Sequence, residues 1–325
     1  MKPTPLLRLE GLRVEFHGSA GRRVRAVRDV DLEIYEGETL GLVGESGCGK
    51  STLGRAMLRV TEPTAGTISY LGLDITRLRG TVFRRTRADL QMIFQDPFGS
   101  LNPRRRIADI VAEPLLRARG ADRATARRVV DDLLDQVGLG REAGARRPHE
   151  FSGGQRQRIG IARALASSPR FVVADEPVSA LDVSIQAQVI NLLADLIRDR
   201  GLTMLFISHD LGVVRHIADR IAVMYLGQII EIAARDDFFA GPAHPYGEAL
   251  LASVPTLTRQ PRERIELTGE LPDPADPPPG CTYHTRCAYA IDTCRSDAPP
   301  LREIQPGRLV RCHLPLQPIQ KGDPA

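Results

Sequence analysis

The chain has 325 residues, of which 42% are hydrophobic and 26% charged, and its 44 basic and 40 acidic side chains leave a net charge of +4. At roughly 150 residues per domain, two domains are expected, and the composition excludes a disordered or fibrous chain. No run approaches the about 18 apolar residues that cross a bilayer. The N-terminal segment MKPTPLLRLE lacks the apolar stretch of a signal peptide, so the chain is expected to be soluble and unexported. So balanced a charge does not mark a nucleic-acid binder.

Alternation of apolar and polar residues over 6–16 (LLRLEGLRVEF) and 24–34 (VRAVRDVDLEI) predicts antiparallel strands. Thr39–Val43 reads as a short buried strand, followed by a glycine-rich turn and a helix from Lys50 to about Val60. From Pro103 to about Gly140 the pattern is helical, as in ATARRVVDDLLDQVGL, and suggests an inserted helical subdomain. Two further apolar runs end in polar residues: Phe171–Ala174 runs into Asp175 and Glu176, and Thr203–Ile207 into Ser208 and His209. Buried strands separated by helices indicate a largely parallel sheet, with active residues at the carboxyl ends of the strands. Beyond Gly241 the composition shifts. Leu271–Gly280 (LPDPADPPPG) carries five prolines and is expected to form no regular element. The apolar-poor tail after it needs a staple to fold. Each motif below occurs once, which implies one nucleotide-binding domain.

Gly44-Glu45-Ser46-Gly47-Cys48-Gly49-Lys50-Ser51-Thr52 fits GxxxxGK[ST] and lies where a P-loop must, between a strand and a helix. Glycines let backbone N–H groups converge on phosphate oxygens, and the helix N-terminus favours the anion. Lys50 is expected to hold the β- and γ-phosphates of ATP, and Ser51 to ligate Mg²⁺; Cys48 reads as a small loop residue. Only three of the 44 basic residues are lysines, Lys2, Lys50 and Lys321, so Lys50 stands alone in mid-chain. Asp175, at the end of an apolar strand, is expected in the Mg²⁺ shell, and Glu176 beside the attacking water.

Phe151-Ser152-Gly153-Gly154-Gln155 resembles the LSGGQ signature of the ATP-binding subunits of ABC transporters, with Phe in the place of Leu. The resemblance implies an α/β fold: a RecA-like P-loop NTPase core with an antiparallel β subdomain, an inserted α-helical subdomain and a Cys-rich C-terminal extension. The nucleotide-binding domain would span 1–245, its helical subdomain about 96–165, and the extension 246–325. It also implies that the signature of one subunit reaches the ATP held by another, in a heterodimer or a homodimer, so that two subunits enclose two nucleotides. Gln95 looks like the Q-loop glutamine that contacts Mg²⁺ and the water and links to the membrane partner. Ser179-Ala180-Leu181-Asp182 looks like the D-loop, and His209 like the switch histidine at the γ-phosphate. The family stacks adenine on an aromatic upstream of the P-loop; GSAGRRVRAV has none, which leaves Phe16 either as that residue or as part of the core.

Gln95-Asp96-Pro97 with Ser100-Leu101-Asn102-Pro103-Arg104, His244-Pro245-Tyr246 with ALLASVP, and GELPDPADPPPGC are similar to segments of dipeptide and oligopeptide transporter ATPases, the F-type subunit above all. That subunit pairs with a homologous D-type ATPase beneath two membrane permeases, and an extracytoplasmic binding protein delivers the peptide. The resemblance therefore implies a peripheral location on the cytoplasmic face of the membrane. Uptake systems for nickel or glutathione share much of the pattern. A non-transport ABC ATPase acting on DNA or ribosomes fits less well, because the 95–152 interval is too short for a coiled-coil arm.

Cys281, Cys287, Cys294 and Cys312 are spaced C-x5-C-x6-C-x17-C, unlike the CxxC pairs of a zinc ribbon. Four thiolates suit a 4Fe–4S cluster, which some members of the peptide-transporter group carry there. A zinc site of three cysteines with His284 or His313, or unliganded thiols, are the other readings. Arg84, Arg85, Arg87, Arg104–Arg106, Arg146 and Arg147 form basic groups that either face solvent or flank a groove for a permease helix.

Overall fold

The computed structural model describes residues 4–17, 22–253 and 269–316. Its strands are, in chain order, β1 (Leu7–His17), β2 (Arg23–Ile34), β3 (Thr39–Val43), β4 (Ala65–Tyr70), β5 (Leu73–Asp74) and β6 (Leu90–Ile93). They continue with β7 (Phe171–Asp175), β8 (Thr203–Ile207), β9 (Arg220–Tyr225), β10 (Gln228–Ala234), β11 (Arg302–Gln305) and β12 (Arg308–Val310). The described residues form two compact units, one from 4–6, 34–39 and 69–207, the other from 7–17, 22–33, 40–68, 208–253 and 269–316.

In the first unit β6, β7 and β8 are parallel, with Leu90 opposite Phe171, Ile93 opposite Ala174, and Asp175 opposite Ile207. All residues of β7 and β8 are buried. That burial explains why these strands read as unbroken apolar runs rather than as alternations. The predicted helical stretch is two helices, Ile107–Pro114 and Arg123–Gln136, joined by a π-helical turn over Leu115–Arg119. Pro114 supplies no N–H and crowds the preceding turn, so the α-helical ladder breaks there. The second helix starts on Asp122, whose carboxylate accepts from Thr125 N–H at 2.9 Å, and buries Ala126, Val130, Leu133 and Leu134, one stripe at helical spacing.

In the second unit β3 runs parallel to β9, with Leu40 opposite Arg220 and Val43 opposite Val223. β9 and β10 form an antiparallel hairpin, so the apolar run Ile221–Ile230 is folded back on itself. Its turn residues Leu226 and Gly227 have φ of 41° and 79°, the left-handed pair that matches strand twist in a two-residue hairpin. The helix at Lys50 ends at Met57 rather than near Val60, because Arg59 turns left-handed (φ 51°) and Val60 N–H bonds back to the Arg55 carbonyl. The proline-rich stretch Leu271–Gly280 forms no helix or strand, as its composition predicts. β12 adds to β10, with Glu231 opposite Val310, and β11 to β12.

The tail is anchored by polar groups out of water. Glu231 is fully buried; its carboxylate accepts from the N–H groups of Ala243 and His244 at 2.8 Å each and from Arg308 at 3.0 Å. His244 caps the helix Pro245–Ala252 by accepting the Tyr246 N–H at Nδ1, 3.0 Å away. Burial lowers its pKa from 6.5 to about 3. The unfolded chain thus binds a proton here below about pH 6.5 while the folded chain does not, so stability present above that pH is lost as pH falls towards 3. Between about pH 7 and pH 5 the wild-type protein is expected to lose about 2 kcal/mol at this residue. His244→Asn, which keeps a capping acceptor, should show a flatter dependence of thermal midpoint on pH; parallel profiles would show that His244 does not titrate this way.

Candidate functional site

The P-loop follows β3 in the second unit. Gly44, Gly47 and Gly49 have φ of 152°, 81° and 106°, conformations closed to residues with a Cβ. A Cβ on Gly44 would lie 2.2 Å from the Met224 carbonyl oxygen, and one on Gly49 2.1 Å from that of Ala26. The loop is thus held from both sides by backbone. The helix Lys50–Met57 has no acidic residue in its first turn, which leaves the positive end of its dipole for an anion. Lys50 is buried, and its Nζ donates to the carbonyl oxygens of Gly44 and Glu45 at 2.8 Å each, which keeps the ammonium inside the loop. Burial raises the Cys48 thiol pKa against the pull of Lys50, consistent with a small loop residue and not a nucleophile. Ser51 and Thr52 open the helix.

Two side chains outside the motif brace this loop. Tyr246 Oη accepts the Glu45 N–H at 2.8 Å, and Arg286 grips the Glu45 carboxylate with two bonds of 2.7 and 3.0 Å. Tyr246 falls within the quoted HPY segment. Arg286 lies 241 residues from Glu45, and no local pattern singles it out.

In the first unit the carboxyl end of β7 delivers Asp175, fully buried, and then Glu176. Glu176 has φ 44°, a strained conformation for a side-chain-bearing residue, held by its N–H bond to the Ile207 carbonyl at 3.0 Å. The Gln95 amide donates to Glu176 Oε2 at 3.0 Å. The structure therefore brings together two of the predicted catalytic residues, 81 positions apart. After Glu176 the chain turns through Ser179, whose hydroxyl donates to the Glu176 carbonyl, and enters the helix Val183–Arg200 with Asp182 at its N-cap position. Gln186 fastens this segment by donating to the carbonyls of Val178 and Leu181 at 3.1 and 3.0 Å, a role no motif announces.

The signature opens the helix Gly153–Leu165 through a reciprocal cap. Ser152 Oγ accepts the Gln155 N–H at 3.3 Å, and Gln155 Oε1 accepts the Ser152 N–H at 3.0 Å. Gly154 is required by space, since a Cβ there would lie 2.5 Å from Ile185 Cγ2. His209, in the second unit, is exposed, between buried Ser208 and Asp210, which caps the helix Leu211–Ile217. Phe16 is 44% exposed, so it is not a core side chain. Residues 18–21 of the GSAGRRVRAV stretch upstream of the P-loop lie outside the described residues. Ser51, Gln95 and Asp175 offer only oxygen donors on their side chains' acceptor atoms, the donor chemistry that Mg²⁺ prefers.

The expected metal centre in the tail is not borne out. Cys281, Cys287, Cys294 and Cys312 do line one cavity, yet among the described residues no three His, Cys, Asp or Glu side chains are placed to hold a metal ion. The 4Fe–4S reading and its zinc alternative both fall on that geometry. Burial raises the thiol pKa of Cys281, Cys287 and Cys312, which favours neutral S–H over the thiolate a metal needs. His284 Nδ1 and His313 Nε2 are each engaged with a backbone carbonyl, of Cys281 and Asp297. Packing supplies the staple in its place: β12 joins β10, and Arg308 joins Glu231.

Among the described residues no helix is long and apolar enough to cross a membrane. Residues 27–179 match the ABC transporter family, and residues 230–294 the C-terminal region of oligopeptide/dipeptide transporters. The oligopeptide transport ATP-binding protein AppF of Bacillus subtilis is 52% identical over 295 residues, 90% of each chain. YkfD of the same organism is 52% identical over 318 residues, 97% of each chain. A dimeric structure of the ATP-binding cassette MJ0796 in a post-hydrolysis state, bound to ADP and Pi, has a TM-score of 0.64 at 28% identity and covers 70% of this chain and 98% of its own. The cassette cbiO1 of Clostridium perfringens gives 0.63 at 26% identity, covering 73% and 91%. With the phosphate loop, the paired acids and the capped signature in place, the chain belongs to the ATP-binding subunits of ABC transporters, in the oligopeptide/dipeptide transporter family, and is an α/β P-loop ATPase.

Proposed function

We propose that this chain hydrolyses ATP to drive uptake of dipeptides or oligopeptides through a membrane permease. The observation that carries the catalytic part is the Glu176 carboxylate, held at the end of a buried strand by Gln95 and next to Asp175. Glu176 is the general base that takes a proton from the attacking water, and Gln95 fixes its orientation. Lys50 and the amides of Gly44, Glu45, Ser46, Gly47, Cys48 and Gly49 neutralise charge on the phosphates, and His209 contacts the γ-phosphate. Ser51, Gln95 and Asp175 would hold the Mg²⁺ that accompanies ATP, and that ion would supply Lewis-acid neutralisation of the phosphoryl oxygens. Phe16 stacks on adenine.

Ser152, Gly153, Gly154 and Gln155 form a capped helix N-terminus suited to the phosphates of a nucleotide on a second, homologous ATPase, and Asp182 signals between the two. ATP closes this dimer; hydrolysis reopens it. The domain over 1–245, with its helical part at about 96–165, carries this cycle, and the extension over 246–325 belongs to the peptide-transporter type. Two permease subunits receive the movement at the cytoplasmic face of the membrane, and an extracytoplasmic binding protein supplies the peptide. The peptide cargo is supported by the match of residues 230–294 and by the name of AppF.

Reconstitution of the chain with its partner ATPase, permeases and binding protein in proteoliposomes tests this reading. Peptide-loaded binding protein is expected to stimulate phosphate release severalfold and to deliver labelled peptide to the ATP side. Stimulation by nickel or glutathione with none by peptide would overturn the cargo.

A further inference from the structure

The P-loop of this protein carries a negative charge of its own. Glu45 follows the first glycine of a loop built to attract phosphate, and a bare carboxylate there would repel a triphosphate. Its charge is met by Arg286 from the Cys-rich tail. The two bonds are bidentate, the Arg286 side chain is only 4% exposed, and that of Glu45 is 25% exposed. Such a fork between guanidinium and carboxylate fixes geometry as well as charge. Arg286 is itself placed rigidly: it closes the short turn His284–Arg286, its N–H bonds to the Tyr283 carbonyl, and its guanidinium lies 5.9 Å from the Tyr225 ring centroid. Tyr225, Tyr246 and Tyr283 pack ring against ring at 4.8–5.3 Å, and Tyr246 Oη takes the Glu45 N–H. The helix Pro245–Ala252, through Tyr246, thus holds the backbone of one P-loop residue, and the tail, through Arg286, holds its side chain.

We propose that Arg286 is a positioning residue for nucleotide binding: it neutralises and orients Glu45, so that the Cys-rich extension is part of the ATP site. This rests on the P-loop reading given above. Without Arg286, Glu45 is free to turn its charge towards the phosphates, and ATP affinity falls while the chemical step is untouched. Tail and nucleotide loop are then coupled, and whatever disturbs the turn Cys281–Cys287 is felt as a change in ATP affinity.

The test measures ATP Kd and the KM and kcat of hydrolysis on the full chain in its dimeric assembly. Arg286→Ala is expected to raise Kd and KM about tenfold with kcat within about twofold. Glu45→Gln/Arg286→Ala should return Kd to within about threefold of wild type, because the charge that needed neutralising is gone. A tenfold loss that Glu45→Gln does not rescue, or a Kd for Arg286→Ala within twofold of wild type, overturns the proposal. If alanine unfolds the tail, Arg286→Lys keeps charge and stem but loses the fork, and should weaken ATP about threefold; unchanged affinity there overturns it as well. Lys50→Ala separates the two levels. If it binds ATP as wild type does, the P-loop reading fails and the proposal with it; if it abolishes binding while Arg286→Ala changes nothing, only the role of Arg286 fails.

Discussion

Glu176→Gln is expected to give a protein that still closes on ATP and hardly turns it over. Glutamine has the size of glutamate and can still meet the Gln95 amide, which lies 3.0 Å from Glu176 Oε2 in the wild-type protein. It also keeps the N–H bond to Ile207 that holds the strained backbone. What it lacks is a basic oxygen for the proton of water. Loss of a general base costs on the order of 10²–10⁴ in rate. Phosphate release should fall by that factor, while ATP-dependent dimerisation in size-exclusion runs persists, since neither Lys50 nor Ser152 is touched. Release within a few-fold of wild type would remove Glu176 from the mechanism.

The largest stability effect is expected at Arg308. The residue is 2% exposed, and its guanidinium bonds to the Glu231 carboxylate at 3.0 Å and to the Gly241 carbonyl at 2.5 Å. Arg308→Ala strands a fully buried carboxylate, a change that costs about 3–5 kcal/mol and should lower the thermal midpoint by roughly 10 °C. Burial already raises the Glu231 pKa, and loss of Arg308 raises it further. A carboxyl whose folded pKa exceeds its unfolded value favours folding more as it is protonated, so the deficit should narrow as pH falls through the folded pKa. Replacing both partners with apolar residues, Glu231→Leu with Arg308→Met, should recover much of the loss, apart from the unmet amides of Ala243 and His244. A midpoint unmoved by Arg308→Ala would show that β12 docks on β10 without the pair.

Much of the site was legible in one dimension because its chemistry is local. The P-loop needs positive φ at three positions within six residues, so glycines at 44, 47 and 49 announce the backbone that Lys50 completes. Ser152 and Gln155 cap each other three residues apart, within one helical turn. Asp175 and Glu176 end a strand whose unbroken burial shows as an unbroken apolar run. Each of these signals is carried by neighbours in the chain.

The rest was decided by tertiary structure. The pairing of Gln95 with Glu176 depends on β6 and β7 lying side by side, and the motif words alone say nothing of that contact. Cysteine spacing suggested a cluster, but spacing fixes only how far apart thiols are along the backbone. Whether their sulfurs converge depends on how turns and β12 pack, and here no ligand set forms among the described residues. Arg286 and Glu45 meet across 241 residues, and Arg308 and Glu231 across 77. Local sequence determined the loop, the caps and the buried strands, because backbone sterics and periodicity act between neighbours. Long-range charge pairing was set by the fold, because burial, which gives such pairs their energy, exists only once the chain is packed.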